Sequence, residues 1–226
     1  MPLNTPSPKV NFGYWARPHL QTQFCDACTK AKASHQPFPK ILNTQAEWYG
    51  ERVFWDLWGP ATICGQSGNF YAAARMDDHT HEMKLYFLKT KDQMFEAYKR
   101  DEAYLETHSE NHIKWMHSDW GGEFLSKEMK NHQDLKGTLH ELTVHDSPQQ
   151  NGIAEHGNWM RAEQAHTMLI LSGLPWFLWE EAMKHSTWLQ NRTLTHALDR
   201  KTPYNMRHGK KPYLAGIQEF RTMAYV

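Results

Sequence analysis

Three carboxylates stand where their residue type needs a reason. Asp56 lies inside Phe54-Trp55-Asp56-Leu57-Trp58, a run with the alternation of a strand, where aspartate is disfavoured. An ionised carboxylate among aromatics calls for a partner or a metal. Asp119 follows a short apolar strand and precedes Gly121-Gly122, a sharp turn that can present a side chain at a sheet edge. Glu155 stands in the first turns of a helix, directly after Ser147-Pro148-Gln149-Gln150-Asn151-Gly152. Taken singly, each has a bland explanation: a cap, a salt-bridge member, a solvated helix position. Taken together they suit Mg²⁺ or Mn²⁺, since hard cations bind through one or two carboxylates each and keep several waters. Two such ions about 3.5–4 Å apart stabilise both the attacking and the leaving oxygen of an in-line phosphoryl displacement.

The elements that must position these acids are legible from periodicity. Strand-like alternation covers Val53 to Trp58, Phe70 to Met76 and Met83 to Leu88, with Asp77-Asp78 in the turn between the last two. These predict an antiparallel meander. Lys91 to Thr107 reads as a helix with Met94, Phe95, Tyr98 and Leu105 on one face. Ile113 to Met116 is a fourth strand, Glu123 to Leu135 a second helix, and Thr138 to Val144 a fifth strand. A long helix is expected from about Gln150 or Asn151 to Ser172, and Pro175 suits the start of another over Trp176 to Asn191. Strands first, then alternating helix and strand, then helices predict an α/β fold, a five-stranded mixed sheet flanked by helices. Trp176, Trp179 and Trp188 fall at helical spacing and are expected to pack. Residues 1–40 read as an irregular N-terminal arm, 41–172 as the core and 173–226 as its helical extension.

Composition narrows the setting. The chain has 226 residues, 40% of them hydrophobic, enough for one sizeable core. Lysine plus arginine equals aspartate plus glutamate at 25 each, so a polyanionic partner would have to be met by local clusters of basic residues, helped by some of the 15 histidines. No signal peptide and no apolar stretch long enough to cross a bilayer is read in the sequence, so no membrane partner is expected. Of the three cysteines, Cys25 and Cys28 form Cys-x-x-Cys, which reads as metal-binding or redox chemistry in an intracellular protein. Cys64 reads as structural.

The flanks of the acids carry a narrower signal. Phe54-Trp55-Asp56-Leu57-Trp58-Gly59-Pro60, His117-Ser118-Asp119-Trp120-Gly121-Gly122-Glu123-Phe124 and Ser147 to Glu155 closely resemble the three core motifs of Copia/Ty1-type retrotransposon integrases, with 35 residues between Asp119 and Glu155. Further matches are Cys25-Asp26-Ala27-Cys28, Pro37-Phe38-Pro39, Asn191-Arg192 and Thr202-Pro203-Tyr204. The resemblance covers about residues 24 to 226. It implies a fragment of a Pol polyprotein with an RNase H-like fold of the retroviral integrase superfamily. It implies a polynucleotidyl transferase that uses two Mg²⁺ or Mn²⁺ ions for DNA 3′-processing and strand transfer. Carried over position for position, Asp56 and Asp119 would hold one ion, and Asp56 with Glu155 the other. Implied partners are the element ends and target DNA, further copies of the chain, and RNA as an additional candidate; the implied location is the nucleus.

The resemblance also implies a His-His-Cys-Cys zinc module. Cys25 and Cys28 match its cysteine pair, yet only His19 precedes them, and a tetrahedral zinc needs four ligands. The chain is therefore expected to begin inside that module. The pair reads as a zinc remnant or as two reduced thiols. Expected DNA contacts are Gln149, Gln150 and Asn151, with Arg161, Lys127, Lys30, Lys32, Lys130, Lys136 and Arg192 as phosphate candidates. Three departures favour an alternative reading, a catalytically inactive relic that keeps nucleic-acid binding or self-association. Trp120 replaces the family's asparagine, and His156 and Trp159 stand where it has arginines. Arg221-Thr222 follows Phe220 where the family has Gly-Cys.

Overall fold

Alternating side chains along Arg52–Trp58 build the central strand, β1. In the computed structural model, which describes residues 45–142 and 162–222, it is joined by β2 (Tyr71–Asp77), β3 (Met83–Leu88), β4 (Trp115–Ser118) and β5 (Leu139–Leu142). They form one five-stranded sheet of order β3-β2-β1-β4-β5. β1, β2 and β3 make the expected antiparallel meander, and β4 and β5 add in parallel to β1. Since β3 is antiparallel to β2, it also runs with β1. The C-terminal ends of β1, β3, β4 and β5 therefore share one edge with the start of β2.

The described residues belong to one compact unit, Asn43–Val226. Residues 1–44, and with them Cys25, Cys28, Lys30 and Lys32, lie outside the described residues.

The helices are α1 (Met94–Ser109), α2 (Lys127–Lys136), α3 (described over residues 162–172), α4 (Trp179–Gln190) and α5 (Pro203–His208). Each sheet face has its own core. On one, Val53, Trp55, Ala73, Leu88 and Met116 pack against Met94, Ala97, Tyr98 and Leu105 of α1 and Met129 of α2. On the other, Ala72 with Trp58, Leu85 and Phe87 packs against Ala165 and Leu169 of α3 and Trp179, Ala182 and Met183 of α4. Burying a side chain such as Leu169 or Met183 contributes about 1.5–3 kcal/mol each.

Two elements, β4 and α2, moved for local reasons. β4 spans Trp115–Ser118 rather than 113–116, because its parallel register with β1 begins at Arg52↔Trp115. α2 begins at Lys127 rather than Glu123. Ser126 caps it by accepting the Met129 N–H at 3.2 Å, and residues before it turn tightly, with Phe124 N donating to Gly121 O at 3.0 Å. Gly137 (φ +74) closes it.

The tryptophan expectation divides. Trp179 is buried, packs at a tilt against Trp58 and donates its indole N–H to Ile63 O at 3.1 Å. Trp176 and Trp188 are exposed, 43% and 36%; the period fixes their direction around a helix and not how far they are covered. Trp188 instead carries the Arg192 guanidinium, 4.0 Å from its ring. Cys64 is likewise an exposed free thiol, not a buried structural one, since it sits in the open connection after β1.

Candidate active site

β1 and β4 bring two of the three acids together. Their parallel register is Arg52↔Trp115, Val53↔Met116, Phe54↔His117. Asp56 lies two residues beyond Phe54, and Asp119 two beyond His117. Asp56, inside β1, and Asp119, just past the end of β4, thus come to the shared C-terminal edge. Phe54 and His117 touch, with ring centroids 5.2 Å apart, which fixes the face. By the period of two, Asp56 falls on that same face, and it pairs with the small Ala74 of β2. Both carboxylates are half-buried.

The turn after β4 sets the second carboxylate. Asp119 Oδ1 accepts the Gly121 N–H at 3.0 Å, a local side-chain-to-backbone closure typical of aspartate. Ser118 Oγ donates to Asp119 O at 3.0 Å and lies 2.8 Å from His140 Nε2. The hydroxyl has one proton to give, so His140 carries its proton on Nε2 and donates. Burial pushes the His140 pKa below its ordinary value, helped by neighbouring His117. His117 is lowered too, by burial first and against the pull of Glu141.

Gly121 marks a close approach. A Cβ there would stand 2.9 Å from Glu123 Oε1 and 3.0 Å from Asp119 Oδ1. Glu123, only 10% exposed, is paired with Lys91 at 3.8 Å. The exit of β1 is equally tight: a Cβ on Gly59 (φ +130) would lie 2.7 Å from Phe70 O and from Tyr71 Cδ1.

Glu155 lies outside the described residues, as do Gln149, Gln150, Asn151 and Arg161. Among the described residues no group of three or more histidine, cysteine, aspartate or glutamate side chains could hold a metal. Asp56 and Asp119 do supply hard oxygen donors on a common edge, the donor type that Mg²⁺ and Mn²⁺ take. Of the basic candidates, Lys127 is exposed at the first position of α2. Lys136 is engaged with Glu106 at 2.7 Å. Arg192 packs between Trp188 and Tyr204 and donates to Trp188 O, so it is committed to the structure.

Beside the edge, a groove of about 640 Å³ is lined by Trp58, Ile63, His166, Trp176 and Trp179, among others. Its outer wall is the connection after β1, which buried Glu180 of α4 holds in place. That carboxylate accepts the Ser67 N–H at 3.2 Å and the Asn69 amide at 3.1 Å, and Gly65 beside it leaves no room for a Cβ. Glu180, Glu123 and Lys91 were not among the residues that the sequence singled out.

Over 201 residues, 89% of this chain, the retrovirus-related Pol polyprotein from transposon TNT 1-94 of Nicotiana tabacum is 30% identical. Those from transposons RE2 and RE1 of Arabidopsis thaliana are 24% and 25% identical over 89% of the chain. The chain is homologous to retrotransposon Pol polyproteins. It spans 15% of the length of the tobacco relative. No model of a known protein family matches it. Among solved structures, a chain of the simian T-cell lymphotropic virus intasome in complex with PP2A regulatory subunit B56 gamma superposes with TM-score 0.62 at 18% identity, covering 89% of this chain and 69% of that one. The HTLV-2 integrase catalytic core domain in complex with magnesium gives TM-score 0.51 at 14% identity, covering 70% and 97%. The fold of this Pol homologue is the RNase H-like fold of retroviral integrase cores.

Proposed function

We propose that this chain is the catalytic core of a retrotransposon integrase, a metal-dependent polynucleotidyl transferase for DNA 3′-processing and strand transfer. What supports the reading is that the parallel ladder ending at Phe54↔His117 carries Asp56, and Asp119 just past the end of β4, to the same edge of the sheet. Glu155 completes the set. The stretch that carries it follows β5, which ends on the Asp119 edge, and precedes α3, which packs on the face of Asp56 through Ala165 and Leu169.

Asp56, Asp119 and Glu155 would hold Mg²⁺ or Mn²⁺, and the HTLV-2 neighbour's complex with magnesium supports that choice. Bound there, the ions would supply an activated oxygen nucleophile and stabilise the charge of the displaced one. The chain's own part is preorganisation. The Gly121 N–H orients Asp119, the β1 ladder holds Asp56, and neutral His117 and His140 add no competing cation at pH 7. Lys127, Arg161 and the Gln149-Gln150-Asn151 run are the proposed contacts to DNA. Self-association is supported by the trimeric and dimeric forms of the HTLV-2 core, and nuclear action follows from integration. RNA has no support from the relatives and is not part of the proposal.

A second reading, an inactive relic, is favoured by Trp120, 52% exposed beside Asp119 where the resembled family has asparagine. Calorimetric titration with Mn²⁺ separates the two. The active core is expected to bind Mn²⁺ with an affinity that Asp56→Asn and Asp119→Asn each reduce at least tenfold, while a wild type that binds no Mn²⁺ would contradict the catalytic reading.

A further inference from the structure

Lys91 stands apart from the other surface lysines in where the fold puts it. It opens the short turn Lys91–Gln93 that leads from β3 into α1, and the end of β3 lies on the same sheet edge as the ends of β1 and β4. Gln93 fixes this corner by accepting the Lys89 N–H at 2.7 Å. Lys91 Nζ lies 3.8 Å from Glu123 Oε1 and 6.0 Å from the centroid of the Tyr71 ring. Tyr71 in turn crowds Gly59, where the chain leaves β1. Glu123 and Asp119 flank the single point above Gly121. One ammonium thus pairs with Glu123 beside Asp119 and lies near Tyr71 at the exit of β1.

Exposure differs sharply across the pair: the Glu123 side chain is 10% exposed and that of Lys91 50%. Glu123 is therefore a sealed anchor, and Lys91 keeps an open side. An ammonium has three donors, so a second anion can reach it from solvent while Glu123 stays bound. The chain as a whole carries no net charge, so a polyanion must be held by local cations of this kind.

We infer that Lys91, held in place by Glu123, contacts a DNA phosphate next to the bond undergoing reaction. Glu123 is a positioning residue for that contact. The inference rests on the proposed DNA substrate and deepens it by placing the strand across the β3–α1 corner. It differs from a plain surface ion pair, which would add a little stability and have no bearing on DNA.

The test is the salt dependence of binding of a fluorescent DNA duplex to the whole chain in Mg²⁺. Each phosphate neutralised on duplex DNA contributes a slope of about −0.9 in log K against log salt. Lys91→Ala is expected to make the slope shallower by about that amount and Lys91→Arg to restore it, with the unfolding midpoint unchanged in both. If the wild type binds with a clear slope and Lys91→Ala matches it, the assignment of Lys91 is overturned while the DNA reading stands. If the wild type shows no salt-dependent DNA binding at all, both fall together.

Discussion

Asp119 owes its orientation to a side chain that is missing. Gly121 donates its N–H to Asp119 Oδ1 and leaves the space in which Glu123 approaches. The atoms that an added Cβ would meet, at 2.8–3.0 Å, are the far ends of two flexible carboxylates. Gly121→Ala should therefore disturb the site more than the fold: metal-dependent activity falls at least tenfold while the unfolding free energy changes by no more than about 1 kcal/mol. Denaturant unfolding beside an activity assay checks this, and unchanged activity would show that the turn does not position Asp119. Residues of this scale were legible when type and place conflicted, as with an aspartate mid-strand among aromatics. Glu123 and Lys91 escaped because a glutamate and a lysine look like any solvated pair until the fold brings a β-turn and a strand end together. Trp176 and Trp188 misled for the opposite reason: spacing names the side of a helix and is silent about what covers it.

At the scale of elements, the α1 face of the sheet contains a buried ion network. Arg75 and Asp101 are both fully buried, with Arg75 Nε 3.0 Å from Asp101 Oδ2, and Tyr86 donates to Asp101 Oδ1 at 2.7 Å. Removing one member strands the others, so Asp101→Asn should destabilise by about 3–5 kcal/mol, read by urea unfolding; a change below about 1 kcal/mol would mean that the network is dispensable. Lys84 is the weak member. Burial lowers its pKa from 10.5 to about 8, against the attraction of Asp101. Between those values the unfolded chain holds a proton that the folded chain has lost, so Lys84 makes stability rise with pH across that window. Above about pH 10 the buried tyrosines Tyr49, Tyr86 and Tyr98, raised chiefly by burial, act the other way. Lys84→Met should raise stability at pH 7 and flatten the rise from pH 8; an unchanged rise would contradict this. The sequence made the strands, α1 and the meander plain through periodicity. It could not show that β4 starts at Trp115 or that α2 waits for Ser126, because register and capping are settled between segments.

For the molecule as a whole, topology does most of the functional placing. A meander followed by parallel strands gathers the C-terminal ends of β1, β3, β4 and β5 on one edge, and among the described residues Asp56, Asp119, Glu123 and Lys91 stand at or border that edge. This architecture was readable from the order of elements, and its kinship from the flanks of the acids; among the described residues, Asp56 and Asp119 come to the same sheet edge. No described helix is long and apolar enough to cross a membrane. The decisive measurement is strand transfer by the whole chain on a labelled DNA oligonucleotide in Mn²⁺ and in Mg²⁺, with Asp119→Asn alongside. Joined products from the wild type and none from Asp119→Asn are the expected result. Equal silence from both, with both folded and both binding DNA, would contradict the catalytic assignment and leave the three acids as inheritance without function.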